Sequence, residues 1–201
     1  MGPQVFVGQA DSTIVGVVLF WAVFYVWVGA EIFLGWKLRS PAGAVTRDAG
    51  SRFVLIGSIY LGVTIGFALA GAVPSAAFTG GRRPMFYLGI ALMLTGLALR
   101  WYSIRVLGRS FTFTVATRSD QQVVDAGPYR WVRHPSYTGG LLTIVGVLVC
   151  LTNPLCFLGL ASPLVGYAYR IRVEESALVR GLGEPYQSYM RRTKRLIPFL
   201  I

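Results

Sequence analysis

A single histidine and two cysteines are all that this 201-residue chain has of the usual soft metal ligands. That scarcity excludes a Cys/His zinc site and a disulfide scaffold. Acidic residues are also few: eight Asp and Glu stand against 19 Lys and Arg, a net charge of +11 with 13% charged residues. Soluble domains carry about 25%, so water is not the main solvent of this surface. There is no glycine-rich dinucleotide fingerprint after a strand, no phosphate loop, no metalloprotease helix and no nucleophile elbow. No alternating strand–helix pattern exists from which to build a soluble nucleotide fold. The first 13 residues contain no Lys or Arg, so no secretory n-region is expected there, and Phe6 breaks the myristoylation pattern that Met1-Gly2 begins.

What the chain does have is apolar length. Its composition is 54% hydrophobic, with 24 Gly and 15 Trp plus Tyr, which suits a lipid solvent. Ile14 to Trp36, interrupted only by Glu31, Phe53 to Val73, and a segment from Met85 to Arg100-Trp101-Tyr102 each reach the ~20 residues that cross a bilayer. Tyr137 to Thr152 and Leu155 to Tyr169 are shorter and are joined by Asn153-Pro154, which predicts a tight helical hairpin near the cytoplasmic interface. Within the second span Ser58, Gly62, Gly66 and Ala70 form a small-residue stripe that admits another helix, in this molecule or in a second copy. Segments 37–52, 105–133 and 170–195 hold 16 of the 19 basic residues. Positive charge gathers on the cytoplasmic side, so five passes with the N-terminus out and the C-terminus in are expected. The arginine surplus is better explained by this bias than by nucleic acid.

Two polar segments on that inner side hold most of the useful chemistry. In the first, Gly127-Pro128 marks a turn and Pro135 turns His134 away from helix, so a helix is expected to begin just after it. Tyr129, His134 and Tyr137 then surround one spot, and the free N–H groups of the new helix suit an anionic ligand group. In the second, Arg170 and Glu174 share a helix face, with Tyr167 one turn earlier. Glu175 lies about 100° away, on the side of Arg172, in the position of a solvated residue. A carboxylate at the end of a membrane helix is costly unless paired or functional, and an Arg–Glu pair at this spacing is more often a structural ion pair than a site. Glu31 is expected to face another helix or to neutralise an arginine. Cys150 and Cys156 are expected as buried thiols, and Tyr186 and Tyr189 as packing or interface anchors. The run Arg191-Arg192-Thr193-Lys194-Arg195 suits anionic lipid headgroups.

Gly127-Pro128-Tyr129-Arg130-Trp131-Val132-Arg133-His134-Pro135-Ser136-Tyr137-Thr138-Gly139 resembles the signature of the isoprenylcysteine carboxyl methyltransferase family. Glu174-Glu175, Leu178, Gly183, Tyr186, Tyr189 and Arg195-Leu196-Ile197-Pro198 agree with it in order and spacing. The resemblance covers Gly108 to Ile201, and spans one to three show no family motif. It implies an all-α integral membrane enzyme of about five transmembrane helices. The cytosolic connector and the C-terminal helical tail would form a site for S-adenosylmethionine. By position it places Tyr129, His134, Pro135, Ser136, Tyr137 and Glu174 at the cofactor, with Gln121, Gln122, Val123 and Val124 adding further contacts. Arg170 would face the acceptor's carboxylate, and Arg170 and Glu174 would carry the catalysis. Gln121 stands where the family often has His; an amide keeps a hydrogen bond but carries no charge.

The expected division is three helices and their loops over 1–107 and a methyltransferase-like region over 108–201. The expected reaction is methyl transfer from S-adenosylmethionine to a lipophilic acceptor arriving from the bilayer, with no metal and no nucleic acid. The acceptor is an isoprenylcysteine carboxylate, another lipid acid or a phospholipid amine. A nicotinamide-dependent sterol-type reductase and a non-enzymatic membrane scaffold are the competing classes. Abundant Ala, Gly, Arg and Val suits a bacterial inner membrane.

Overall fold

The computed structural model describes residues 14–37, 45–46, 48, 50–108, 116–117 and 122–198. Three helices, α1 (Ile14–Lys37), α2 (Ser51–Ala72) and α3 (Arg82–Leu107), are long and apolar enough to cross a membrane. Two more follow, α4 (Pro135–Cys150) and α5 (Ala161–Leu182), and then a short amphipathic α6 (Glu184–Arg192). Large apolar side chains such as Val18, Tyr25 and Ile32 of α1 and Phe53, Tyr60 and Leu61 of α2 are exposed. In a helical membrane protein these are the surfaces that lipid covers. Phe20, Val23 and Trp27 of α1 turn inward instead, where Phe20 meets Phe67 and Phe86 ring against ring.

Glycine sets the closest contacts, as expected where lipid removes the hydrophobic drive between helices and backbone packing takes its place. A Cβ on Gly96 would lie 2.6 Å from the Gly139 carbonyl oxygen, and one on Gly139 would lie 2.6 Å from that of Gly96. One turn pair further along, Gly89 and Gly146 are related in the same way at 2.7 Å. Helices α3 and α4 therefore run backbone against backbone. The stripe on α2 does the same against the start of α5: a Cβ on Gly62 would lie 2.4 Å from the Gly159 carbonyl oxygen, and Ser162 Oγ donates to the Ser58 carbonyl at 2.9 Å. It serves a contact within the molecule.

The last two passes depart from the expected hairpin in their detail. Asn153 ties the turn, its Oδ1 accepting from Leu155 N–H at 3.0 Å and its Nδ2 donating to the Val73 carbonyl at 2.9 Å. The chain then runs as a 3-10 segment, Pro154–Leu160, before α5 begins. Pro163 has no N–H to offer the Gly159 carbonyl, which postpones the regular helix. Helix α4 packs chiefly along α3, and α5 chiefly along α2, more than on each other. Helix α5 also continues past Tyr169 to Leu182, carrying the polar segment as a direct extension of its apolar first half. Cys150 and Cys156 are buried free thiols.

Backbone contact between α3 and α4 predicts that Gly96→Ala destabilises by about 1–3 kcal/mol, because besides Thr143 Oγ1 the new methyl group meets the Gly139 carbonyl oxygen and the Thr143 nitrogen, both main chain. Gly29→Ala, where nothing lies within 4 Å, leaves stability unchanged or raised. Thermal unfolding followed by tryptophan fluorescence in detergent reads the difference.

Candidate functional site

Two separated stretches are stitched together beneath the helices. Arg133 N–H donates to the Lys194 carbonyl at 2.7 Å, His134 N–H to that of Arg195 at 3.0 Å, and Thr138 Oγ1 to that of Leu196 at 2.7 Å. The tail reaches this position because Gly183 adopts φ 62°, a left-handed backbone that reverses the chain between α5 and α6. Helix α6 then buries Tyr186 and Tyr189, and Tyr189 Oη donates to the Tyr129 carbonyl at 2.6 Å. Both tyrosines thus act in packing. Pro135 is the first residue of α4 and His134 its N-cap, as the Pro135 signal predicts.

Around this seam the chemically active side chains converge. Tyr137 Oη donates to Glu174 Oε2 at 2.7 Å and accepts from Arg170 Nε at 3.2 Å, so one phenol bridges the cation and the carboxylate. The imidazole of His134 stacks on the Tyr137 ring, 5.4 Å between centroids and 6° from parallel. Its Nδ1 is 3.8 Å from Glu174 Oε2, and its Nε2 is 3.3 Å from Glu175 Oε1. Tyr167 also lies against Tyr137, tilted by 55° with 5.4 Å between ring centroids. Tyr129 is buried in the turn before His134, where burial, reinforced by the Glu174 charge, pushes its phenol upward and keeps it protonated.

Glu175 does not occupy the solvated position expected of it. It is 5% exposed and receives Arg133 Nε at 2.9 Å, Arg195 Nη2 at 3.0 Å and the His134 ring. Burial alone would raise its pKa. The hydrogen bonds from His134, Arg195 and Arg133 outweigh that and hold the carboxyl down at about 2. An ionised carboxylate only accepts, so the proton on His134 facing it sits on Nε2. Nδ1 is left facing Glu174, beyond hydrogen-bond distance. The clue in the sequence was the neighbouring pair Arg133-His134, which had to face some anion.

The N-terminal part contributes as well. Asp48 accepts from Arg170 Nη1, the nitrogen that also donates to Ser51 Oγ at 2.7 Å. Glu31 of α1 grips Arg100 of α3 through Nη2 at 2.7 Å and through Nε, so it neutralises an arginine as expected. The remaining Arg100 nitrogen donates to Ser136 Oγ at 2.9 Å and to its carbonyl at 3.2 Å. Ser136 is therefore committed to Arg100, and Pro135 is buried at the helix start. Gln122 is exposed and Val123 and Val124 are half-buried. Among the described residues no hydrogen bond links these three to Tyr137, Arg170 or Glu174. Gln121 lies outside the described residues. Asp48 and Ser51 carry no motif and were not anticipated; only the fold brings them to Arg170.

Residues 89–180 match the model of the isoprenylcysteine carboxyl methyltransferase (ICMT) family. The match covers a little under half of the chain. The match starts inside α3, upstream of the motifs at 127–139, and so includes Arg100 within the family region. A protein-S-isoprenylcysteine O-methyltransferase of Xenopus laevis is 36% identical over 117 residues, 56% of this chain and 40% of that protein. One of Arabidopsis thaliana, protein-S-isoprenylcysteine O-methyltransferase B, is 35% identical over 115 residues, 56% of this chain and 58% of the other. The solved structure of the eukaryotic intramembrane Ras methyltransferase superposes with a TM-score of 0.55 at 26% identity, covering 78% of this chain and 55% of that one. The chain spans about half the length of the relatives it matches. The matched segment holds His134, Tyr137, Arg170, Glu174 and Glu175, whereas Asp48, Glu31 and the tail from Arg191 to Arg195 lie outside it.

The depressed Glu175 carboxyl stabilises the folded state fully above its usual value near 4.5, and that contribution fades as pH falls towards about 2. The expected outcome is a fall in thermal midpoint across this window that is much smaller in Glu175→Gln. Melting curves from pH 6 to 2.5 in lipid nanodiscs check it.

Proposed function

We propose that this chain transfers a methyl group from S-adenosylmethionine to the carboxylate of a lipophilic, isoprenylcysteine-type acceptor at the inner face of the membrane. The observation that carries this is the Tyr137 hydroxyl, which joins Arg170 to Glu174 and so sets a cation and an anion of α5 against one aromatic face of α4. The names of the relatives favour O-methylation over amine methylation, nicotinamide chemistry or a scaffold role.

The residues fit both reactants. Glu174 keeps 30% side-chain exposure while its neighbours are buried, so its carboxylate is available to a cationic ligand. With the stacked His134 and Tyr137 rings and the phenol of Tyr129 it offers the charge and aromatic faces that a sulfonium compound selects. When bound, S-adenosylmethionine supplies an electrophilic methyl group, and displacement on it is mainly a matter of position and water exclusion. A carboxylate acceptor is already ionised at neutral pH and needs no general base, which suits a chain with one histidine. Arg170 would take that carboxylate through its planar fork and aim it at the methyl group. The acceptor's lipid chain would enter between helices from the bilayer.

The same reading gives five passes with the N-terminus outside and a catalytic region over 108–201, in a bacterial inner membrane. Arg191, Arg192 and Lys194 would rest on anionic headgroups. Support comes from the placement of 16 of 19 basic residues on inner segments.

Titration calorimetry with S-adenosylmethionine and S-adenosylhomocysteine and label transfer from methyl-labelled S-adenosylmethionine to a farnesylated cysteine acid test the proposal. Glu174→Gln is expected to weaken S-adenosylmethionine binding roughly tenfold or more, about the loss of one charge-assisted contact, and to affect S-adenosylhomocysteine, whose sulfur is uncharged, less. Arg170→Ala should leave that binding intact and abolish label transfer. No binding by the wild-type protein would overturn the reading.

A further inference from the structure

The proposed seat of the acceptor's carboxylate already holds a carboxylate. Arg170 is 4% exposed, and its Nη1 meets both Asp48 and Ser51 Oγ while its Nε is taken by Tyr137. An incoming acid therefore has to exchange with a partner. We propose that Asp48 is a built-in competitor for the acceptor's carboxylate and, by that competition, a determinant of which acids this chain accepts. The proposal rests on the assignment of Arg170 as the acceptor's partner.

The geometry makes the exchange inexpensive for Asp48. Its Oδ2 accepts from Arg52 N–H at 3.2 Å, its Oδ1 also accepts from Ser51 Oγ at 3.3 Å, and its own carbonyl accepts from Ser51 N–H at 2.8 Å. These contacts hold it at the N-terminus of α2, where unpaired N–H groups favour an anion. Displaced from Arg170, the carboxylate keeps that second set of donors and faces solvent on its exposed edge. Arg100 offers the contrast. Glu31 holds it at Nε and Nη2 and Ser136 fills the third nitrogen, so an acid arriving there would strand a carboxylate inside the first span. Of these two arginines, Arg170 is the exchangeable one. Both capping carboxylates come from outside the family-matched segment.

Two consequences follow for selectivity. A small soluble acid brings no lipid-anchored binding energy and does not outcompete a tethered carboxylate, whereas an acid on a long apolar chain does. The methyl ester product carries no charge, so Asp48 returns to Arg170 and favours release. An occupied resting state lowers the apparent affinity by the fraction of molecules in which Asp48 is displaced.

The test is equilibrium binding of farnesylcysteine acid, its carboxamide and its methyl ester to the full chain in lipid nanodiscs. Asp48→Asn is expected to bind the acid roughly five- to tenfold more tightly, with the carboxamide unchanged and S-adenosylhomocysteine binding retained. Asp48→Glu should behave as the wild type. Equal or weaker acid binding by Asp48→Asn with S-adenosylhomocysteine binding retained, or equal tightening of acid and carboxamide, would overturn the competitor. If Arg170→Ala leaves acid binding to the wild-type background unchanged, the assignment of the acceptor's seat falls and the competitor with it.

Discussion

The whole candidate site hangs on a carboxylate that is hidden from water. Glu175 stands in the polar second half of α5, and it is stable there only because Arg133 and His134 from the connector and Arg195 from the tail surround it. Two pieces of chain separated by about the length of the terminal helix pair are thereby forced to share one anion. Removing an anion from such a cluster leaves buried cations uncompensated, the costliest kind of loss. The same contacts fix the plane and the tautomer of His134, which in turn lies flat on Tyr137. The order of dependence runs from Glu175 to His134 to Tyr137, and from Tyr137 to Arg170 and Glu174.

The helices above supply the rigidity that this arrangement needs. Glycines facing each other on α3 and α4 bring two backbones into contact, and α4 begins with the residues that bind the site together. Arg100 of α3 holds Ser136, so the first turn of α4 is anchored by a cation that Glu31 of α1 neutralises. Helix α5 is braced on α2 at Gly62, and α2 starts at Ser51, which with the preceding Asp48 reaches Arg170. Each half of the site is thus carried by one tightly packed helix pair.

Much of this could be read in the chain before any coordinates. Hydropathy marked the three long spans, and Pro135 marked the start of α4, because a proline's missing N–H and its effect on the preceding residue are local properties. The partnership of Tyr137, His134, Arg170 and Glu174 followed from two sequence motifs. Other features depend on tertiary geometry and had no such signature. The seven-residue spacing of Gly89 with Gly96 and of Gly139 with Gly146 was visible, yet nothing local says that the two pairs face each other. Glu175 looked solvated from its helical angle alone, since its three partners come from elsewhere in the chain. The 3-10 entry to α5 arises from Pro163 acting on Gly159, which a count of apolar residues passes over.

The central claim is that the connector and the tail form one shared binding site for a charged sulfur compound. Its most direct test is the experimental structure of the full chain in nanodiscs with S-adenosylmethionine. The account predicts one bound molecule touching both the His134–Tyr137 face and Glu174. A molecule bound against only one of the two segments, or away from both, would contradict it.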